Sequence, residues 1–142
     1  MLGGGKNNEP TKLGDFRNEK MSMTRIKGRY IKAMPKEQQI IYMLQQHPST
    51  YVALGIMKSY LMPNFNILVK NNKKYVASKL AKDMGISCQA SGTHIRKLKE
   101  LNIIAEVDIG RKGKYLAINP YIYLAGDYVP TEIVKLFNDK GN

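Results

Sequence analysis

The chain has 142 residues, 43% of them apolar, enough for one modest core and too few for two large domains. Its 23 Lys and Arg against 11 Asp and Glu give a formal charge of +12, which favours a polyanionic partner, nucleic acid first, over an acidic one. The lone cysteine, Cys88, excludes an intramolecular disulfide and a cysteine-rich zinc site. No apolar run approaches the roughly 20 residues of a membrane span, and no signal-peptide core follows Met1, so a soluble protein of a reducing cytoplasm is expected.

The charge is unevenly placed. Residues 1–36 carry +6, residues 37–69 are neutral, residues 70–114 carry +7 and residues 115–142 carry −1. Solubility or a basic tail is the plainer explanation of the total, but neither accounts for a second concentration within 70–114.

Residues 1–24, with Gly3-Gly4-Gly5 and Asn7-Asn8, have little apolar content and no sustained period, which predicts a flexible basic arm ahead of one domain over 25–142. Residues 25–36 interleave cations with Ile26, Tyr30 and Ile31, either packing lightly on the domain or forming a solvated lead-in. Over 37–46 the spacing of Ile40, Ile41 and Leu44 predicts a helix that Pro48 ends. Ser49 or Thr50 is then placed to cap a second helix reaching Pro63, apolar around most of its circumference and so expected at the centre of the core. Ile67-Leu68-Val69 reads as an edge strand, and residues 71–74 as a basic turn.

Two helices joined by a tight turn follow. Val76, Leu80 and Met84 give the first its apolar face, Gly85 suits a left-handed C′ position because it lacks a Cβ, and the Ser87 hydroxyl can cap the next helix. Val76 stands where a Thr or Ser cap would help, so the first helix is expected to fray at its start. In the second, Ile95, Leu98 and Leu101 turn inward, sending Gln89, Gly92, Thr93, Arg96 and Lys97 wholly or partly outward. Residues 105–118 carry β-type residues around Gly110-Arg111-Lys112-Gly113, a hairpin with a basic turn. An aromatic patch at Tyr121, Tyr123 and Tyr128 precedes a short helix whose Ile133, Val134 and Phe137 either close the core or meet a second copy in a homodimer.

A helix pair followed at once by a basic hairpin predicts a mainly α fold with a small β wing, a winged helix-turn-helix. Such a fold presents the N-terminal half of its second helix to a major groove. Gln89, Ala90 and Thr93 are then the base readers; Ser87, Arg96 and Lys97 hold phosphates; Arg111, Lys112 and Lys114 anchor the wing. Ordinary solvated helix and hairpin surfaces are the alternative reading of the same cations.

Residues 28–137 resemble the RepL-type replication proteins of small plasmids from Firmicutes. The resemblance is carried by Tyr30-Ile31-Lys32-Ala33, by Ala81 with Gly85-Ile86-Ser87-Cys88-Gln89, by 98–104 with its closing Asn-Ile-Ile, and by 113–120 with its Ile-Asn-Pro running into Gly126-Asp127. It implies double-stranded DNA as partner, plasmid replication or its control as setting, and replication machinery as a further partner. The relatives tend to carry a β-branched apolar residue where Ser91 stands and a better helix former in place of Gly92, so the first turn of this helix is expected to be loose until DNA orders it.

Enzymatic readings find little support. His47 and His94 fall on different predicted elements, so the paired His of a rolling-circle nuclease is missing, and no GxxxxGK[ST] phosphate loop is present. No cofactor or metal is expected. Three other readings stay open: a transcriptional or conjugative-transfer regulator using the same surface, a protein-interaction winged helix, and a single-strand or RNA binder stacking bases on Tyr30, Tyr75 and Tyr115.

Overall fold

A computed structural model describes residues 31–138; the expected basic arm at 1–24 lies outside the described residues. Within them the chain forms β1 (Ile31–Ala33), α1 (Glu37–Met43), α2 (Pro48–Lys58), β2 (Val69–Lys70), β3 (Lys73–Lys74), α3 (Ala77–Met84), α4 (Cys88–Glu100), β4 (Ile104–Asp108), β5 (Lys114–Ile118), β6 (Tyr123–Ala125) and α5 (Thr131–Asn138). The fold is helical with small antiparallel pairings, β1 with β6, β2 with β3 and β4 with β5.

The helix α2 lies against α3 and α4 and buries Thr50, Ala53, Leu54 and Met57. Two sequence expectations about it need correction. Pro48 opens the helix rather than merely ending the previous one, because proline's fixed φ suits the first helical position, and neither Ser49 nor Thr50 caps it. Burial is also one-sided: Tyr51 and Val52 stay 41% and 52% exposed. The helix stops at Lys58, before Pro63, and the amides of Ser59, Tyr60 and Leu61 fall back on carbonyls three residues earlier. That tighter turn delivers fully buried Leu61 to a bridge with Leu68. The preceding α1 is likewise shorter than expected, closing in a 3₁₀ turn over Leu44–Gln46.

The β4–β5 hairpin sorts its side chains with a period of two. Ile104, Leu116 and Ile118 enter the core beneath α2, whereas Ala105 and Ala117 join Ile67, Ile133 and Phe137 in a second cluster under α5. The apolar face of α5 thus closes the chain's own core, the first of the two sequence alternatives. The expected strand around Ile67-Leu68-Val69 joins this hairpin: Ile67 bridges Ala117, and the Leu68 amide donates to Leu116 O at 2.8 Å.

The pairing of β1 with β6, with Ile31 opposite Ala125 and Ala33 opposite Tyr123, was not anticipated; it turns part of the supposed lead-in and of the aromatic patch into a ladder. Asn66 locks this region to the hairpin. Wholly buried, its amide donates to Ile118 O at 2.9 Å and Tyr123 O at 2.8 Å, and its Oδ1 accepts from the Ala125 amide at 2.9 Å.

Candidate nucleic-acid interface

The joint between α3 and α4 is built as its punctuation predicts. Gly85 ends α3 at φ 69°, and the Ser87 Oγ accepts from the Ala90 amide at 3.0 Å. Val76 does not belong to the apolar face of α3; it is the 40% exposed N-cap residue and supplies no side-chain cap. The first turn of α4 is regular helix, because Ser91 does what an apolar residue would otherwise do: fully buried, its hydroxyl lies 2.7 Å from Ala77 O and 2.9 Å from Cys88 O, and so reaches across to α3.

Packing then fixes which face of α4 is presented. Ser91, Ile95 and Leu98 are buried and Leu101 is half-buried, leaving Gln89, Thr93 and Arg96 exposed and Ala90, Gly92 and Lys97 partly so. Thr93 donates its hydroxyl to Gln89 O at 3.1 Å, so its proton is already engaged within the helix. Ser87 accepts one bond and keeps a hydroxyl proton for an outside acceptor. His94 Nδ1 is bonded to Thr50 Oγ1 at 2.9 Å, tying α4 to α2, and His47 is the residue before α2. Among the described residues no three His, Cys, Asp or Glu are grouped as a metal site.

Arg111 and Lys112 lie exposed on the 3₁₀ turn of the hairpin, with exposed Lys114 opening β5. Gly113 closes that turn at φ 88° and ψ −158°, a combination essentially reserved for glycine. Within the described residues Lys32, Lys70 and Lys99 pair with Asp127, Asp83 and Glu106, while Arg96, Lys97, Arg111, Lys112 and Lys114 make no ion pair. Asp108 faces Lys114 in the ladder without pairing with it.

The Lys70–Asp83 pair is part of the scaffold. The Lys70 ammonium donates to Asp83 at 2.8 Å and lies over the Tyr60 ring, which stacks on buried Tyr75, whose hydroxyl donates to Asp83 at 2.7 Å. Asp83 is held below the usual carboxylate range, first by the Lys70 hydrogen bond and then by that of Tyr75. Tyr75 is raised, chiefly by burial.

The basic turn expected at residues 71–74 is the tip of a short hairpin, its two lysines forming β3. Asn71 and Asn72, at φ 53° and 64°, form the two-residue turn between β2 and β3, the left-handed pair of a type I′ hairpin. The Asn-Asn between lysines is the sequence signal for that turn. Tyr75, one of the proposed stacking residues, has no exposed surface, Tyr115 is half-buried, and Tyr30 lies outside the described residues.

Asn119 and the Gly126-Asp127 pair hold architectural positions. The buried Asn119 donates to Asn102 O at 3.0 Å and accepts from the Tyr121 amide at 2.9 Å, fixing the exit from β5 to the end of α4. Asn64 Oδ1 accepts from the amides of Asp127 and Tyr128 across Gly126. Comparison of the chain with protein-family models, with curated proteins and with solved structures finds no match. No helix among the described residues is long and apolar enough to cross a membrane.

Proposed function

We propose that this chain is a winged helix-turn-helix protein that binds double-stranded DNA sequence-specifically, in the cytoplasm and without enzymatic activity. The observation that carries the reading is the placement of Arg96 and Lys97 on α4 and of Arg111, Lys112 and Lys114 on the β4–β5 turn, exposed or partly exposed and without an ion pair within the described residues. A cluster of like charges raises the energy of the free protein, and a polyanion relieves it. The first two turns of α4 enter the major groove, where Gln89 addresses an adenine edge, Thr93 offers its methyl to thymine and Ala90 admits close approach. Ser87, Arg96 and Lys97 hold the flanking phosphates. Arg111, Lys112 and Lys114 bring the wing to the neighbouring backbone or minor groove.

Plasmid replication or its control is the setting we propose, on the resemblance of the segments quoted above, with replication machinery as a further partner. A homodimer on DNA would use a surface other than the inner face of α5, which is occupied by Ile133 and Phe137. Selection of bound duplexes from a random pool tests the reading. It is expected to enrich a short motif, doubled and palindromic if two copies bind, and the five cations are expected to contribute about −4.5 to the log–log slope of affinity against salt. Recovery of no duplex at low salt would reject DNA binding. Footprinting on the parent replicon would then separate an origin repeat from a promoter or transfer origin.

A further inference from the structure

We infer that the β2–β3 hairpin is a second phosphate-binding prong, in which Lys73 and Lys74 act with the β4–β5 turn to grip the DNA backbone beside the groove that α4 enters. The inference rests on the reading of α4 as a duplex binder and adds a site on a different element. Its geometry follows from strand register. Ile67 bridges Ala117, and Leu68 bonds to Leu116; the pairing stops there, and the same antiparallel register carried on would set Lys70, the end of β2, opposite Lys114, the start of β5. On that register the two turns lie toward one edge.

Side-chain contacts agree with that placement. The Lys74 ammonium lies 5.7 Å from the centroid of the Tyr115 ring, and a Cβ built on Gly113 would stand 2.7 Å from Lys74 Nζ. Lys74 thus leans on the β4–β5 turn that carries Arg111 and Lys112. The Lys79 ammonium donates to Lys74 O at 2.9 Å, bringing a further positive charge behind the hairpin. Like Arg111, Lys112 and Lys114, Lys73 and Lys74 make no ion pair within the described residues. Asp108, opposite Lys114, is the carboxylate that the ladder places nearby, and one carboxylate does not balance five cations.

The turn is suited to this use. Asn71 and Asn72 adopt left-handed φ values with little strain, so the hairpin is two residues long and holds Lys70 and Lys73 directly opposite one another. Lys70 is drawn back to Asp83, which braces β2 against α3, whereas Lys73 points its charge into solvent at the tip. A phosphate diester reads no sequence in such a site. Lys73 and Lys74 accordingly contribute affinity and salt dependence, and base preference stays with α4.

The experiment is a salt titration of duplex affinity for the full chain, comparing wild type with Lys73→Gln/Lys74→Gln and Lys73→Arg/Lys74→Arg, with circular dichroism verifying the fold of each. Loss of two phosphate contacts is expected to make the log–log slope shallower by about 1.8, so that the variant's deficit shrinks about twelvefold between 50 and 200 mM salt. The Arg pair is expected to restore the slope, and motif preference is expected to stay as in wild type. Hydroxyl-radical footprints of the Gln pair should lose protection on one backbone segment outside the α4 contact. An unchanged slope and footprint, with duplex binding intact, would overturn the second prong and leave the α4 reading standing. Failure of wild type to bind duplex would overturn both.

Discussion

Asn66→Ala offers a test of how the domain is held together. The side chain is completely buried and makes three hydrogen bonds, two donated to Ile118 O and Tyr123 O and one accepted from the Ala125 amide. Alanine would strand the Ala125 N–H away from water, at about 1–3 kcal/mol, and take donors from two carbonyls. The backbone adds to this, because Asn66 sits at φ 59°, where an L-residue other than Asn or Gly costs about 1–2 kcal/mol. Together the loss should reach about 3–5 kcal/mol, a large part of the roughly 5–15 kcal/mol that stabilises a typical domain. At about 2–8 °C per kcal/mol for domains of this size range the melting temperature should fall by more than about 6 °C. Urea unfolding followed by circular dichroism measures the change, and Asn66→Gly, which relaxes φ without supplying the side chain, should recover only the backbone part. A stability of Asn66→Ala within about 1 kcal/mol of wild type would refute the claim that this amide joins the β6 ladder to the β4–β5 hairpin.

Further outcomes follow from other residues. Asp83 has its folded pKa depressed by Lys70 and Tyr75, so its contribution to stability is present above its unfolded value of about 3.9 and is lost as pH falls through the folded value. Urea midpoints measured from pH 7 down to pH 2.5 should show this loss in wild type and a flatter profile in Asp83→Asn; parallel profiles would argue against the clamp. Gly113→Ala forces a side chain into a backbone region costing about 1–3 kcal/mol, so chemical denaturation should show that loss and duplex affinity should fall as the turn carrying Arg111 and Lys112 reshapes. Ser91→Ala removes the hydroxyl that reaches Ala77 O, and thermal unfolding should register about 0.5–1.5 kcal/mol of destabilisation.

The elements legible in the sequence are those whose signals are local. Gly85 and Ser87 mark the turn between α3 and α4 by their own conformational and capping chemistry, and Ile133 with Phe137 gives α5 its inner face by helical spacing alone. Long-range pairing leaves no such trace. β1 and β6 are three residues each, too short for alternation to register, and they meet from positions 31–33 and 123–125. The spacing of Val76 to Leu80 suits the apolar face of α3, yet Val76 stands just outside the helix, with extended backbone and an exposed side chain. The apolar pattern outruns α2 for a related reason: Tyr60 and Leu61 pack around the following turn and do not continue the helix. Buried Asn66 and Asn119 look like loop residues in the sequence, and only the tertiary structure shows what their amides bridge.

For the candidate site, the sequence located the outward residues of α4 and the basic turn correctly as exposed or partly exposed positions, since helical phase determines the first and glycine spacing the second. It did not reveal that Thr93 donates to its own helix, or that Lys74 lies against Gly113. Both depend on side-chain contacts that spacing does not encode.

The claim on which the account depends is that the exposed ridge of α4 meets a duplex groove. Fluorescence anisotropy with the selected duplex, comparing wild type with Gln89→Ala/Lys97→Ala, tests it most directly. Loss of an adenine contact worth about 1–3 kcal/mol together with a phosphate contact predicts an affinity at least about tenfold weaker, with preference relaxed at the adenine position. Equal affinity and unaltered preference in the double variant would contradict it.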